Sequence, residues 1–177
     1  TKFITTRFGN VLGSNGSVLP IFHNQIAQGG PVTLTHREMT RFVMSIEESV
    51  QLVLDSAQYA QGGEVFITKM PIIRIYDLAL AMLEELAPHY GKQPAEIEII
   101  EIGTKPGEKL YEELFDPSEM QDGKTEEGYV VASPRIIDRA LLQRTLEGLE
   151  AAAQREDLSR TIELLCHIVP EYQRGNG

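Results

Sequence analysis

The sequence has no tryptophan, a single cysteine and an excess of acidic residues. Because Cys166 has no second cysteine to pair with, an internal disulfide is excluded. The 16 Lys and Arg residues are outnumbered by 26 Asp and Glu, and the net charge of −10 disfavours nucleic-acid or anionic membrane surfaces, which need clustered cations. No apolar run approaches the roughly 18 residues that span a bilayer. The sequence therefore predicts a soluble, cytoplasmic protein without nucleic-acid contact and without membrane contact from this segment.

Several catalytic and metal-binding patterns are also absent. The four histidines are dispersed and show no metal-ligand spacing with Cys166 or with paired carboxylates, so no metal site is expected. Ser14 and Ser17 are not part of a Gly-x-Ser-x-Gly elbow, which argues against a serine hydrolase. Paired glutamates such as Glu112 and Glu113 fit solvated helix faces better than general acid and base pairs.

Hydrophobic periodicity predicts an α/β protein. With 177 residues, of which 42% are hydrophobic, the chain is long enough for a domain with its own core. Ser45 and Glu48 have the spacing of a capping box at a helix start, and Cys166 is expected in the core. Strands are predicted at 3–8, 32–35, 64–67, 97–102 and 129–131, and helices at 18–28, 45–61, 75–86, around 110–115 and twice within 136–169.

Residues 7–18 read Arg-Phe-Gly-Asn-Val-Leu-Gly-Ser-Asn-Gly-Ser-Val and join a strand to a helix. Their glycines allow positive φ and let backbone approach a ligand closely. Ser17 can cap the helix, and a helix that follows such a strand end is where α/β proteins hold anionic groups. A tight connection without a ligand explains the residues equally well, so the pattern leaves both interpretations open.

Four polar side chains are candidates for ligand contact. Asn10 suits a sugar, phosphate or nicotinamide contact, or a turn. Arg41 offers a rigid fork of donors that matches a diphosphate, or it forms a salt bridge with Glu38. Lys105 and Glu108 can bind a phosphate and ribose hydroxyls, or Glu108 favours a helix dipole. The residues alone leave each pair of alternatives open.

Three motifs together carry a family resemblance. Residues 7–18, Met-Thr-Arg-Phe at 39–42 and Lys-Pro-Gly-Glu-Lys-Leu at 105–110 resemble the extended short-chain dehydrogenase/reductases of polysaccharide biosynthesis. Within this family the similarity is greatest to UDP-N-acetylglucosamine 4,6-dehydratases. The resemblance implies the C-terminal part of a Rossmann-type enzyme, with the last sheet strands and a mixed α/β substrate-binding lobe in residues 1–132. Residues 133–177 would form a C-terminal helical extension.

The resemblance also implies roles for individual residues. The family often has Arg where this chain has Asn15 and Lys105, and lysine keeps the charge but loses the bidentate fork, so weaker phosphate binding is expected. No residue of this chain matches a catalytic residue of the family. The implied cofactor-binding residues are Asn10 and Ser14, and the implied substrate-binding residues are Ser17, Val18, Thr35, Arg41, Lys105 and Glu108.

The motifs that the family uses for hydride and proton chemistry are missing. No Gly-x-Gly-x-x-Gly follows a strand, and none of the six tyrosines has a lysine four residues on. In the family both lie upstream, so we expect this chain to be the substrate-binding portion of a longer enzyme and to be inactive alone. The whole enzyme would be a lyase that binds NADP or NAD and acts on a UDP-sugar.

Two alternatives to a dehydratase stay open. A UDP-sugar 4-epimerase shares the UDP-binding elements, and a non-catalytic module could keep a nucleotide-sugar pocket without chemistry. The parent reading frame discriminates, since an upstream cofactor fingerprint and Tyr-x-x-x-Lys would exclude the module. A homo-oligomer is also expected, because cutting a sheet exposes strand edges and apolar faces.

Overall fold

The structure, a computed structural model of the chain, divides into two compact units. The first comprises residues 1–105 and 109–134, and the second comprises residues 106–108 and 135–177. The functional division at residues 132 and 133 stays a prediction. The structure describes residues 1–105, 107–115, 119, 124–125, 128–134, 136–169 and 172.

The first unit is a mixed α/β unit. It alternates short strands with three α-helices, as the hydrophobic pattern predicts, and 3₁₀ helices occupy Ala87–Tyr90 and Pro94–Glu96. The α-helices are α1 (Val18–Gln28), α2 (Ile46–Tyr59) and α3 (Ile75–Leu86). The strands are β1 (Thr5–Arg7), β2 (Asn10–Val11), β3 (Val32–Leu34), β4 (Thr40–Met44), β5 (Val65–Thr68), β6 (Ile72–Arg74), β7 (Ile99–Glu101), β8 (Lys124–Thr125) and β9 (Tyr129–Ala132).

Parallel and antiparallel pairs coexist in three sheets. A four-stranded sheet has the order β1-β5-β9-β8, in which β1 and β5 are parallel and β9 is antiparallel to both of its neighbours. In a three-stranded sheet, β2 is parallel to β4, with Asn10 opposite Val43, and β6 is antiparallel to β4. The third sheet pairs β3 with β7 in parallel, with Leu34 opposite Glu101. Parallel pairs need long crossovers, which the helices supply.

Clusters of buried apolar side chains hold the helices and sheets of the first unit together. Helix α1 buries Phe22 and Ile26, which lie 1% and 0% exposed, in the same cluster as Ala79 and Leu83 of α3. Helix α2 contributes Leu52 to a second cluster with Phe66 of β5. The strand ends that precede α1 and α2 are therefore anchored to the sheets by the helices that follow them.

Local sequence signals account for the helices well. Helices α1 and α3 have the predicted bounds. The predicted capping box at α2 is confirmed, since the Ser45 hydroxyl accepts the Glu48 N–H at 3.0 Å and the Glu48 carboxylate accepts the Ser45 N–H at 2.6 Å. These bonds satisfy backbone donors that the first turn leaves without partners.

The second unit contains two helices, as predicted. Helices α4 (Arg139–Gln154) and α5 (Leu158–Ile168) begin at Asp138 and Asp157, whose carboxylates each accept an N–H of the first turn. The expectation of a buried Cys166 is wrong, because this thiol lies exposed on α5 while Ile168 is buried.

Two further sequence expectations need correction. The described residues 107–115 form turns and bends instead of the expected helix through Leu110 and Leu114. Their carbonyl oxygens instead accept hydrogen bonds from Arg41 and Arg7, respectively. Ser17 is the N-cap residue of α1, but its side chain makes no capping hydrogen bond. Pro106, most of 116–127 and the tail 173–177 lie outside the described residues.

Gly9 lies where two backbone segments approach closely. A Cβ atom at this position would lie 2.7 Å from the Phe42 carbonyl oxygen and 2.8 Å from the Met70 sulfur. The Gly9 N–H also donates to that sulfur at 3.2 Å. The absence of a side chain therefore allows the β1–β2 connection to lie against β4.

We expect Gly9→Ala to lower the free energy of unfolding by about 1–3 kcal/mol, because the added methyl group overpacks against backbone. Urea unfolding measures the change. Gly148→Ala is the matched control: its Cβ would meet only the flexible Leu164 side chain at 3.2 Å, inside a helix that alanine favours. A Gly9→Ala protein as stable as the wild type would contradict the close approach.

The turn between α2 and β5 predicts a pH dependence. The Glu64 carboxylate accepts the N–H groups of Gln61 and Gly62 at 2.8 and 2.7 Å, and these bonds lower the pKa of Glu64. A lowered folded-state pKa contributes stability above the unfolded-state pKa, and this contribution is lost as pH falls through the folded value. The gap in unfolding free energy between wild type and Glu64→Gln should therefore shrink below about pH 4. A gap that stays constant from neutral to acidic pH would contradict this.

Candidate functional site

Asn10 belongs to the first sequence motif and contacts the second motif and a residue just beyond the third. It begins β2, and its Nδ2 donates to the Phe42 carbonyl oxygen at 3.2 Å and to the Glu112 carboxylate at 3.1 Å. Phe42 ends the Met-Thr-Arg-Phe motif, and Glu112 follows the Lys-Pro-Gly-Glu-Lys-Leu motif by two residues. Asn10 itself is exposed, so its amide group reaches solvent as well as these partners.

Arg41 joins the second motif to the third. The Arg41 Nη1 donates to the carbonyl oxygens of Thr40 and Leu110, at 2.8 and 3.2 Å. The backbone N–H of Thr40 donates to the same Leu110 oxygen at 3.2 Å. Glu38, the alternative salt-bridge partner considered for Arg41, lies 4.0 Å from Arg74 Nη1. The half-buried guanidinium of Arg41 is thus held at the start of β4 by backbone carbonyls.

Arg7 reaches the same part of the chain from β1. Its guanidinium forms a two-pronged ion pair with Glu119, in which Nη2 donates to Oε1 at 2.7 Å and Nη1 donates to Oε2. Nη1 also donates to the Leu114 carbonyl oxygen at 3.0 Å. The Glu119 side chain is only 9% exposed and that of Arg7 is 35% exposed. This ion pair is therefore considerably more protected from solvent than an ordinary surface pair.

The glycine loop has the backbone that its sequence predicts. Gly13 and Gly16 both have a φ of +77°, and the space where their side chains would lie is open. Ser14 Oγ donates to the Val11 carbonyl oxygen at 2.7 Å. Among the described residues, Ser17 Oγ is a buried side-chain oxygen without a hydrogen-bond partner. The Val18 side chain packs on the core. Only the backbone of this residue, in the first turn of α1, is therefore available to contact a ligand.

The remaining predicted site residues lie in different places. Thr35 follows β3 directly and is half-buried, and Lys105 is exposed beyond β7, the strand that pairs with β3. Glu108 belongs to the second compact unit and is half-buried. The structure thus brings Asn10 and Arg41 to one stretch, 109–115, whereas Thr35 and Lys105 follow the paired strands β3 and β7.

Three residues of this region were not among the predicted site residues. Arg7 and Glu119 form the protected ion pair, and Glu112 accepts the Asn10 amide rather than standing free on a helix face. Arg7 is the first residue of the 7–18 motif, and this position was the available sequence signal. Its partner lies 112 residues away, so spacing could not reveal the pair.

This arrangement suits recognition of an anion with a polar attachment. Arg41 offers a fork of donors, the first turn of α1 offers backbone N–H groups, and Asn10 and Glu112 offer an amide and a carboxylate. Guanidinium groups match diphosphate geometry, and amides and carboxylates match sugar hydroxyls. Across the described ranges, no cluster of three His, Cys, Asp or Glu side chains is placed to hold a metal ion.

Comparison with known proteins identifies the family. Residues 1–134 match the family described as "Polysaccharide biosynthesis protein". The chain belongs to this family. The resemblance drawn from the three motifs is therefore confirmed, and the α/β fold is that of the C-terminal region of its extended short-chain dehydrogenase/reductase members.

Several family relatives are similar over most of this chain. An uncharacterised membrane protein of Methanocaldococcus jannaschii is 54% identical over 78% of this chain and 41% of its own length. The capsular polysaccharide biosynthesis protein CapD of Staphylococcus aureus is 52% identical over 68% of this chain and 20% of its own length. A UDP-glucose 4-epimerase of Rickettsia akari is 40% identical over 89% of this chain and 44% of its own length.

A solved structure agrees with the fold. The X-ray structure of Pen from Bacillus thuringiensis superposes with a TM-score of 0.71 at 40% identity, over 78% of this chain and 42% of that one. The chain thus spans less than half of the length of each of these relatives. In the described part of the chain, no helix is both long and apolar enough to cross a membrane.

We expect Asn10→Asp to lower the free energy of unfolding by about 1 kcal/mol, because a second carboxylate would face Glu112 and the donor to Phe42 would be lost. Urea unfolding measures the change. Adding Glu112→Gln should recover most of the loss, since the repulsion disappears. Equal stability of Asn10→Asp and wild type, or no recovery in the double variant, would show that these side chains are not neighbours.

Proposed function

We propose that this chain binds the UDP portion of a nucleotide sugar, as part of a longer polypeptide that modifies the sugar for polysaccharide biosynthesis. The observation that carries the proposal is that residues of the first two family motifs meet the 109–115 segment in the first unit: Asn10 contacts Phe42 and Glu112, and Arg41 contacts Leu110. Family membership supports nucleotide-sugar chemistry, as the name of the epimerase relative indicates.

Arg41 is the proposed anchor for the diphosphate. Its Nη1 donates to the carbonyl oxygens of Thr40 and Leu110, and its planar fork of N–H donors matches the geometry of a diphosphate. The protein has a net charge of −10, so local cations must provide the attraction for an anion. Lys105 is proposed as a second phosphate contact.

Smaller contacts complete the proposed binding role. Thr35 and the hydroxyl of Ser17 would contact the nucleotide sugar, together with the N–H of Val18 at the start of α1. Ser17 Oγ is buried and makes no hydrogen bond to the described residues. A rotation of this side chain would allow its hydroxyl to form a hydrogen bond with a bound ligand. Glu108 belongs to the second unit, and its predicted contact with ribose hydroxyls stays a separate prediction.

The cofactor of the whole enzyme is proposed to be NADP or NAD. The chain contains no glycine fingerprint for the dinucleotide phosphates. Its own proposed contribution to cofactor binding is limited to hydrogen bonds from the exposed Asn10 amide and the Ser14 hydroxyl. When bound, the nicotinamide group would supply a reversible hydride acceptor for the sugar. Asn10 would orient the sugar and nicotinamide where they meet.

The proposed reaction is 4,6-dehydration of UDP-N-acetylglucosamine, with 4-epimerisation as the second candidate. The second candidate is favoured by the similarity to a UDP-glucose 4-epimerase over 89% of this chain. Incubation of the full-length protein with UDP-N-acetylglucosamine discriminates when mass spectrometry of the product is combined with proton NMR, which reports the configuration at C4. Dehydration produces a sugar lighter by one water, whereas epimerisation leaves the mass unchanged. A full-length protein that binds UDP but yields neither product would favour a non-catalytic module.

A homo-oligomer and a cytoplasmic location also remain predictions.

We expect Arg41→Ala to weaken UDP binding by the full-length protein about a hundredfold, and Arg41→Lys about tenfold, because lysine keeps the charge but not the fork. Titration calorimetry with UDP, dTDP and GDP measures affinity and selectivity. Arg160→Ala, which removes an exposed arginine of α5 paired with Glu163, is the matched control and should bind normally. Wild-type protein without selectivity for UDP, or an Arg41→Ala variant with unchanged affinity, would overturn the proposal.

A further inference from the structure

The 109–115 segment touches the candidate site through a series of separate contacts. The Leu110 carbonyl accepts bonds from Thr40 and Arg41, and the Glu112 carboxylate accepts the Asn10 amide. The segment has no helix or strand of its own among these residues. Its position is therefore set by what it contacts and not by an internal hydrogen-bond ladder.

Arg7 secures the far end of this segment. One guanidinium donates both to the Leu114 carbonyl oxygen and to the two carboxylate oxygens of Glu119. Arg7 lies in β1, which is paired with β5 in the four-stranded sheet. A residue of the sheet thus holds the segment from one side, while Asn10 and Arg41 contact it nearer its start.

The two side chains of the ion pair differ in burial, so removing Arg7 and neutralising Glu119 are expected to have unequal effects on stability. Glu119 is a buried carboxylate, whereas Arg7 keeps about a third of its side chain in solvent. Loss of Arg7 would remove the cation that pairs with this buried carboxylate, and breaking a protected ion pair from that side is strongly destabilising in proteins. Neutralising Glu119 is milder, because Arg7 can turn to water. Glu119→Gln therefore tests positioning with the smaller effect on folding.

We propose that the Arg7–Glu119 ion pair is a positioning element that holds the 109–115 segment against Asn10 and Arg41 and so sets the affinity for the UDP portion of the substrate. Neither residue needs to touch the substrate for this role. A small displacement of a substrate-positioning group is costly even when its cause lies outside the site. This inference rests on the proposed function, because affinity for UDP is one of its readouts.

The experiment uses the full-length protein and two measurements. Hydrogen exchange followed by mass spectrometry reports whether the Thr40 amide, which donates to the Leu110 carbonyl oxygen, loses protection, and titration calorimetry reports UDP affinity. For Glu119→Gln we expect faster exchange of the Thr40 amide, with the remaining sheet amides unchanged, and a Kd for UDP raised about tenfold. Arg7→Lys keeps a cation but loses the fork, so its effect should lie in the same direction.

A double variant of Arg7 and Glu119 distinguishes a shared positioning role from general destabilisation by the two substitutions. In the double variant Arg7→Lys with Glu119→Gln, the loss of UDP affinity should be smaller than the sum of the two single losses, because both remove the same pair. Glu163→Gln, which breaks the exposed ion pair with Arg160 on α5, is the matched control and should change neither measurement.

The outcomes are distinct. Unchanged exchange of the Thr40 amide in Glu119→Gln overturns the positioning role, as does faster exchange with unchanged UDP affinity. Additive losses in the double variant also overturn it. Wild-type protein that does not bind UDP overturns the proposed function itself, and this result appears before any variant is made. Faster exchange together with weaker, coupled UDP binding supports the inference.

Discussion

The structure of the first unit depends on a close approach of two backbones at Gly9. No side chain fits between its α-carbon and the carbonyl of Phe42, and the neighbouring Met70 sulfur takes up the Gly9 N–H. The register of β2 on β4 follows directly, with Asn10 opposite Val43. Only with this register does the Asn10 amide reach the Phe42 carbonyl oxygen. The first glycine of the motif thus serves packing, whereas Gly13 and Gly16 serve turns of positive φ in open space.

Side chains that bind distant backbone oxygens build the rest of the candidate site. Arg7, Asn10 and Arg41 each donate to a carbonyl of another segment, at Leu114, Phe42 and Leu110. Irregular backbone needs such partners, since its carbonyls have no ladder to join. Asn10 and Arg41 are also proposed ligand contacts, whereas Arg7 is proposed only to position the 109–115 segment. At Asn10 and Arg41 a structural role therefore coincides with the proposed binding role, so a substitution there is expected to affect both.

The sequence allowed the local features to be predicted and left the distant ones open. The bounds of α1 and α3 followed from apolar spacing, and the Ser45–Glu48 capping box followed from partners three residues apart. The helix expected around residue 110 was wrong because Leu110 and Leu114 have helical spacing but their carbonyls are engaged by arginines from β4 and β1. Motif resemblance identified Asn10 and Arg41. The partners Glu112 and Glu119 could not be found, since no local pattern encodes a contact 102 or 112 residues away.

The parallel strand pairs have a consequence for transferring the site to another protein. Strand β1 pairs with β5 and β3 pairs with β7, so each pair joins segments separated by several other elements. The entropy of closing these long loops has to be overcome before any site contact can stabilise the chain. Grafting the glycine loop alone onto a foreign scaffold would leave behind the acceptors that orient Asn10. The smallest transplantable piece is therefore the first unit as a whole, not the conspicuous motif at its start.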